Sequence, residues 1–126
     1  MAQISEISRT LPGGKTLLSG DDNLALAAIA VGADGLVSVL GNMLPRETKQ
    51  LVEAARAGRR DEAVKLNNRL LPLIDALFVE SNPIPLKAGL QMMGLGGDFV
   101  RLPLVPAADA TRARLKEALA LAGIKV

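Results

Sequence analysis

Only two short segments of this 126-residue chain have the composition of β-strands, and both are nearly continuously apolar. Residues 15–19 and 35–40 are therefore expected to be parallel strands that are covered on both faces of a sheet. A helix predicted at residues 23–31 lies between them and makes the three elements a βαβ unit. Two parallel strands do not form a stable sheet alone. The chain is therefore either a piece of a larger α/β domain or one that completes its sheet by association.

The rest of the chain is predicted to be mostly helical, with a glycine directly after most of the helices. Residues 82–85 are expected to be extended, because a residue that precedes a proline avoids the α region. Residues 96–108 are expected to form a loop. The predicted helices cover residues 3–10, 46–57, 61–79, 86–93 and 111–122.

The longest predicted helix has a wide apolar face, which indicates burial against more than one neighbour. Pro72 lies inside this helix, where it removes one backbone hydrogen bond and is expected to bend the axis. The face combines two neighbouring stripes, which are Leu66, Leu70, Leu73 and Leu77, and Leu71, Ile74 and Phe78.

The composition excludes several kinds of functional site. The chain has no Cys, which excludes a disulfide scaffold and a thiol nucleophile, and no His, the commonest general base and metal ligand. Its net charge is only +2, and the basic side chains are not clustered as a nucleic-acid interface requires. Catalysis would therefore have to use Lys, Asp, Glu, Ser, Thr or backbone groups, and no nucleic-acid partner is expected.

The localisation expected from the sequence is cytoplasmic. The first residues carry neither a basic region nor an apolar core of a signal peptide. Residues 24–44 are the most apolar window and could suggest a membrane span, but three glycines and Asp34 interrupt it. A buried helix followed by a buried strand explains the same residues, so no membrane partner is expected.

Polar residues follow the two predicted strands. Asp22 is predicted to be the N-cap of the helix at residues 23–31, because it directly precedes that apolar segment. Asp21 could either favour the positive end of the helix dipole or face a binding pocket. Ser38 and Asn42 could line a pocket or satisfy local backbone groups. Two adjacent carboxylates without further ligands do not make a metal site.

Three other motifs have simpler structural explanations. The Asn-Pro-Ile-Pro-Leu-Lys segment at residues 82–87 is expected to fix how the helical end of the chain docks. The glycines of residues 94–97 do not lie between a strand and a helix, so a helix end and turn is favoured over a phosphate-binding loop. A basic cluster is interrupted by acidic residues and is expected to be a solvated face; it consists of Arg56, Arg59, Arg60, Lys65 and Arg69.

Four motifs, in their order along the chain, resemble the C-terminal part of the dihydrodipicolinate synthase and N-acetylneuraminate lyase family. Any one of them is weak, but the ordered set with fitting spacings is specific. The resemblance covers nearly the whole chain, although residues 1–15 match only as a helix and a loop. The motifs are LLSGDD (17–22), GADGLVSV (32–39), LFVESNPIPLK (77–87) and RLPL (101–104).

This resemblance implies an α/β fold that is one piece of a (β/α)8 TIM barrel followed by a C-terminal region of three helices. Residues 15–19 would be the seventh strand of the barrel and residues 36–40 the eighth. Residues 1–58 are expected to form the partial barrel and residues 59–126 the helical region, within one compact and mostly helical unit.

The resemblance also implies a function. The family enzyme condenses pyruvate with aspartate semialdehyde in lysine biosynthesis and holds pyruvate as a Schiff base on a lysine. Gly20 and Asp21 would border the substrate pocket, and the backbone carbonyl of Val37 would face bound pyruvate. No cofactor and no metal ion is implied.

The family's catalytic lysine and tyrosines have no counterpart in this chain. The lysine belongs to the sixth barrel strand, and none of the six lysines present here matches it. The chain alone is therefore not expected to catalyse the reaction. Its expected partner is an N-terminal barrel half or further copies of itself in a homo-oligomer. Two alternatives are a non-catalytic remnant that self-associates and a pyruvate-binding module without the lysine.

Overall fold

The computed structural model describes all residues, Met1–Val126, in two compact units, Met1–Asn68 and Arg69–Val126. No helix is both long enough and apolar enough to cross a membrane. The α-helices are α1 (Ala2–Thr10), α2 (Ala25–Ala30), α3 (Pro45–Arg56), α4 (Arg60–Leu77), α5 (Ile84–Met92) and α6 (Asp109–Leu121); the strands are β1 (Leu18–Ser19) and β2 (Gly35–Leu36); and 3-10 turns span Asp22–Leu24 and Leu40–Asn42.

The predicted βαβ unit is confirmed in the first compact unit. Strands β1 and β2 are parallel, with Leu18 opposite Gly35 and Ser19 opposite Leu36. Each strand has two residues, fewer than the sequence predicts, because regular strand pairing is confined to Leu18–Ser19 and Gly35–Leu36. At one end the amide of Leu17 donates to the Asp34 carboxylate at 2.9 Å rather than to a strand.

The strands are not fully covered within this chain, in agreement with the prediction that the sheet needs partners outside it. Helices α2 and α3 pack against each other; α2 contacts both strands and α3 contacts β2. Ser19 and Gly35 are buried, whereas Leu18 is 48% exposed and Val37, directly after β2, is 64% exposed. The sheet has only two strands, so each also keeps an unpaired outer edge. These apolar side chains would be covered only if further strands or another chain joined the sheet.

The core of the first unit contains Leu40, Leu51 and Ala28 and extends to α1, whose Ile4 packs against Ala28 and its neighbours. Gly32 ends α2 with a φ of +110° and permits the close approach of α1. A Cβ at this position would lie 2.1 Å from Ser8 Oγ. Glycine is therefore required here both by the backbone conformation and by the packing of α1.

We predict that Gly32→Ala lowers the free energy of unfolding by about 3 kcal/mol, because strain and a clash with Ser8 add. Gly58→Ala is the matched control, since Gly58 has a φ of +69° with no atom within 4 Å of a new Cβ. It should cost about 1 kcal/mol from backbone strain alone. Urea unfolding measures both, and equal losses would contradict the packing role of Gly32.

The second unit contains α5 and α6, which pack on each other, and the part of α4 from Arg69 onward. Leu70, Leu73 and Leu77 are buried as predicted, but Phe78, directly after the last residue of α4, is 46% exposed. The predicted inward positions of the last helix are confirmed, since Leu115, Ala118 and Leu119 of α6 and Ala122 directly after it are all buried.

The prediction of an extended segment at residues 82–85 is wrong, because Asn82 and Pro83 lie in a turn and a helix follows directly. Helix α5 begins at Ile84 and holds Pro85 in its first turn. A proline is accepted there because the first-turn N–H groups have no partner within the helix, so its missing N–H costs nothing. The amide of Ile84 donates to the Ser81 carbonyl at 2.9 Å, which fixes the turn before the helix.

Arg112 of α6 holds the predicted loop that follows α5. Its Nε donates to the Ala107 carbonyl at 3.3 Å, one terminal nitrogen donates to Gln91 Oε1 at 3.1 Å, and the other pairs with Asp98. The Ala108 amide at the end of the loop donates to Glu80 Oε1 at 3.1 Å. The long connection is therefore fixed by polar contacts at both its ends.

We predict that Arg112→Lys lowers the free energy of unfolding by about 1–2 kcal/mol, because an ammonium group cannot donate in three directions from one plane. Arg114→Lys is the control, since Arg114 is exposed and makes no side-chain hydrogen bond. Chemical denaturation monitored by circular dichroism measures the difference. Equal stability of the two variants would show that the guanidinium contacts are dispensable.

Candidate functional site

The carboxyl ends of β1 and β2 lie at the same edge of the sheet, because the strands are parallel. Gly20 and Asp21 follow β1, and Val37 follows β2, so the fold brings the three predicted site residues to one edge. The Val37 amide donates to the Ser19 carbonyl at 2.8 Å and ties the two strand ends together. In (β/α)8 barrels the active site is built at this end of the strands.

Several polar groups at this edge have no partner within the chain. Neither the N–H nor the C=O of Gly20 makes a hydrogen bond, and the carbonyl of Val37 accepts none. The Asp21 carboxylate is exposed and unpaired. A Cβ at Gly20 would meet no atom within 4 Å, so the space beside it is open. The edge therefore offers one N–H donor and several oxygen acceptors to a small polar ligand.

The predicted capping role of Asp22 is wrong. Its side chain is 1% exposed and makes no capping bond to the 3-10 turn that precedes α2. The carboxylate instead accepts hydrogen bonds from the hydroxyl of Ser38 and from the amides of Val39, at 2.9 Å, and Leu40, at 3.4 Å. The loop after β2 thus presents three hydrogen-bond donors to the two oxygens of the Asp22 carboxylate. An N-cap contact would supply fewer donors to this carboxylate.

The hydroxyls and the amide near the site bond to the local backbone. Ser19 Oγ donates to the Asp21 carbonyl at 3.0 Å and accepts from the Asp21 amide at 3.2 Å. Ser38 Oγ also accepts from the Gly41 amide at 2.7 Å. Asn42 Nδ2 donates to the Val39 carbonyl at 3.1 Å. Of the two roles open for Ser38 and Asn42, the structure shows that of satisfying nearby backbone groups.

Sequence reasoning missed Ser19 and assigned Asp22 to the wrong partner. A usable signal is present for Asp22, because an aspartate follows the first strand and a serine follows the second. In parallel neighbours these positions meet at one edge of the sheet. The contact between them is long-range, at a separation of 16 residues, whereas an N-cap is a local pattern.

The glycine motif of residues 94–97 and the basic cluster keep their structural explanations. Gly94 ends α5 with a φ of +70° and is not followed by a helix. In the basic cluster, Arg59 pairs with Glu62 at 2.7 Å and Arg60 with Asp61 at 3.3 Å on an exposed surface.

No group of three His, Cys, Asp or Glu side chains lies close enough to hold a metal ion. None of the six lysines is buried.

We predict that Asp22→Ser destabilises the chain as strongly as Asp22→Ala, by about 3 kcal/mol, because serine is too short to reach Ser38 and Val39. Serine is as good an N-cap as aspartate, so it would preserve stability if capping were the role of Asp22. Asp21→Ala, at the exposed neighbour, should change the free energy of unfolding by less than about 0.5 kcal/mol. Urea titration of the three variants checks this.

Comparison with known proteins places these features in a family context. The sequence model of the dihydrodipicolinate synthetase family matches residues 1–122. The chain is 46% identical over 124 residues to the 4-hydroxy-tetrahydrodipicolinate synthase of Chlorobium limicola, which covers 98% of this chain and 42% of that protein. It is 44% identical over 119 residues to the enzyme of the same name from Archaeoglobus fulgidus, with 94% and 41% covered.

Solved structures give the same result. The dihydrodipicolinate synthase of Aquifex aeolicus superposes with a TM-score of 0.93 at 38% identity, covering 98% of this chain and 42% of that one. The chloride-inhibited enzyme of Acinetobacter baumannii complexed with pyruvate gives 0.93 at 39% identity, with 98% and 43% covered. The predicted fold, a mostly helical piece of a (β/α)8 barrel with two parallel strands and C-terminal helices, is confirmed. The chain spans 42% of the length of the first of these relatives.

Proposed function

This chain belongs to the dihydrodipicolinate synthetase family, and we therefore propose that it supplies one wall of a pyruvate pocket in a Schiff-base lyase. The proposed reaction is the condensation of pyruvate with aspartate semialdehyde in lysine biosynthesis. The observation that supports it best is the set of unpartnered polar groups of Gly20, Asp21 and Val37 at the carboxyl ends of two parallel strands. Because the chain spans 42% of its relative's length, the activity is proposed for an assembly with the remaining barrel strands.

The chemistry of these groups suits a bound keto acid. The Gly20 N–H can donate to a carboxylate oxygen, in open space that a small ligand can enter. A carbonyl oxygen such as that of Val37 repels a carboxylate but accepts from an iminium N–H or a carbinolamine hydroxyl. We assign Val37 to the reacting end of the ligand on this basis, and Gly20 and Asp21 to the rim.

We propose that the nucleophile comes from another part of the barrel. A lysine forms a Schiff base through its neutral amine, which desolvation favours, and no lysine of this chain is buried. The chain also contains no tyrosine to transfer the proton. In the proposed assembly this chain therefore binds and orients pyruvate, and its partner supplies the covalent chemistry.

The exposed strand surface supports assembly. Leu18 and Val37 are 48% and 64% exposed beside two unpaired strand edges, which a complementary barrel half would cover. The same surface favours a second candidate function, in which copies of this chain associate through these edges and form a non-catalytic oligomer.

We predict that co-expression with the part of the Chlorobium limicola enzyme that this chain does not match yields a complex with pyruvate-dependent condensation activity. Borohydride should trap pyruvate on the complementing polypeptide, because that polypeptide carries the proposed lysine. Each polypeptide alone serves as the control and should be inactive. Activity is followed with aspartate semialdehyde, and trapping by intact-protein mass spectrometry.

Three outcomes would contradict the proposal or a part of it. A co-purified complex that is folded but never turns over pyruvate would remove the lyase function. A chain that forms a defined oligomer in light scattering and does not bind the complementing polypeptide would support the non-catalytic assembly. Pyruvate trapped on this chain itself would overturn the assignment of the nucleophile to the partner.

A further inference from the structure

Two aspartates make related contacts at opposite ends of the parallel strand pair. At the carboxyl ends, buried Asp22 accepts from the Ser38 hydroxyl and the Val39 and Leu40 amides. At the amino ends, exposed Asp34 accepts from the Leu17 amide at 2.9 Å. Only the first of these contacts lies at the edge that carries the candidate site.

The Asp22 contacts restrain the peptide that carries the Val37 carbonyl. On one side of this peptide the Val37 amide donates to the Ser19 carbonyl at 2.8 Å. On the other side the Val39 amide donates to Asp22 at 2.9 Å. A peptide between two anchored neighbours cannot rotate without breaking one of these bonds. Its carbonyl, which has no partner in the chain, is therefore held in one direction.

Asp22 does not reach the ligand itself. Its carboxylate is 1% exposed, and its hydrogen bonds all go to the loop after β2. Ser38 extends the restraint, because its Oγ also accepts from the Gly41 amide at 2.7 Å. A Cβ at Gly41 would lie 3.2 Å from Ser38 Cβ, so the turn is closely packed on its own backbone.

We propose that Asp22 is a positioning residue for pyruvate, which acts by fixing the Val37 carbonyl at the reacting end of the pocket. This inference rests on the proposed function. It predicts that the loss of Asp22 weakens pyruvate binding specifically, and not merely the stability of the chain.

The test uses the co-expressed complex described above. Asp22→Ala should raise the KM for pyruvate about tenfold, the order expected when a fixed hydrogen-bonding group is released, while kcat falls less. The KM for aspartate semialdehyde should stay within about twofold of the wild-type value. Asp22→Asn keeps one acceptor for the Val39 amide. Its KM for pyruvate should therefore rise less than that of Asp22→Ala, to about threefold above the wild-type value.

Asp34→Ala is the matched control, because it removes a carboxylate contact to a strand amide at the opposite ends of the strands. It should lower the melting temperature of the complex without changing the KM for pyruvate by more than about twofold. If Asp22→Ala does not fold, Ser38→Ala removes one of the three contacts and should still raise the KM for pyruvate.

The outcomes separate the two proposals. An active wild-type complex in which Asp22 and Asp34 variants alter KM alike, or not at all, would overturn the positioning role and leave the lyase function intact. A selective rise in KM for the Asp22 and Ser38 variants would support it. A wild-type complex without pyruvate turnover would overturn both.

Discussion

The parallel strand pair of residues 1–68 is held by side-chain carboxylates in addition to backbone hydrogen bonds between the strands. The paired strands are only two residues long, and aspartates continue the hydrogen bonding beyond both ends. Asp34 accepts from the Leu17 amide before the pair begins, and Asp22 binds the loop after it ends. A buried carboxylate that lost its three hydrogen-bond donors would lower the free energy of unfolding. The Asp22 contacts, together with the hydrogen bond from the Val37 amide to the Ser19 carbonyl, fix the loop that carries the Val37 carbonyl.

Much of the fold could be predicted from the sequence because its signals are local. The helix boundaries follow apolar periodicity and glycines such as Gly32, and the βαβ unit follows from two apolar segments with a helix between them. The errors occur where partners are distant or where two local preferences compete. The partner of Asp22 is 16 residues away, and Pro85 lies in a first helical turn although prolines favour extended neighbours. The exposure of Leu18 is not among these errors, because the sequence predicts that the sheet needs partners outside this chain.

The sequence predicts at which edge of the sheet the candidate residues lie, but not which hydrogen bonds surround them. Gly20, Asp21 and Val37 can be placed at one edge as soon as the strands are known to be parallel. Their free backbone groups, however, depend on which hydrogen bonds the neighbouring side chains make. Ser19 and Ser38 bond to nearby backbone groups, and this leaves the Gly20 and Val37 groups unpartnered. Apart from the Asp21 carboxylate, the candidate site therefore consists of main-chain atoms, whose availability a list of residue types does not reveal.

The shortness of the strands also affects how this chain meets other proteins. A long flat edge offers a continuous row of backbone groups and invites cross-β polymerisation with any extended segment. Each strand here is two residues long, so its outer edge offers few backbone N–H and C=O groups for pairing. An incoming strand would form few backbone hydrogen bonds, so it must also pack against the side chains of Leu18 and Val37. The geometry thus favours a complementary surface over indiscriminate aggregation, although the chain leaves apolar strand residues uncovered.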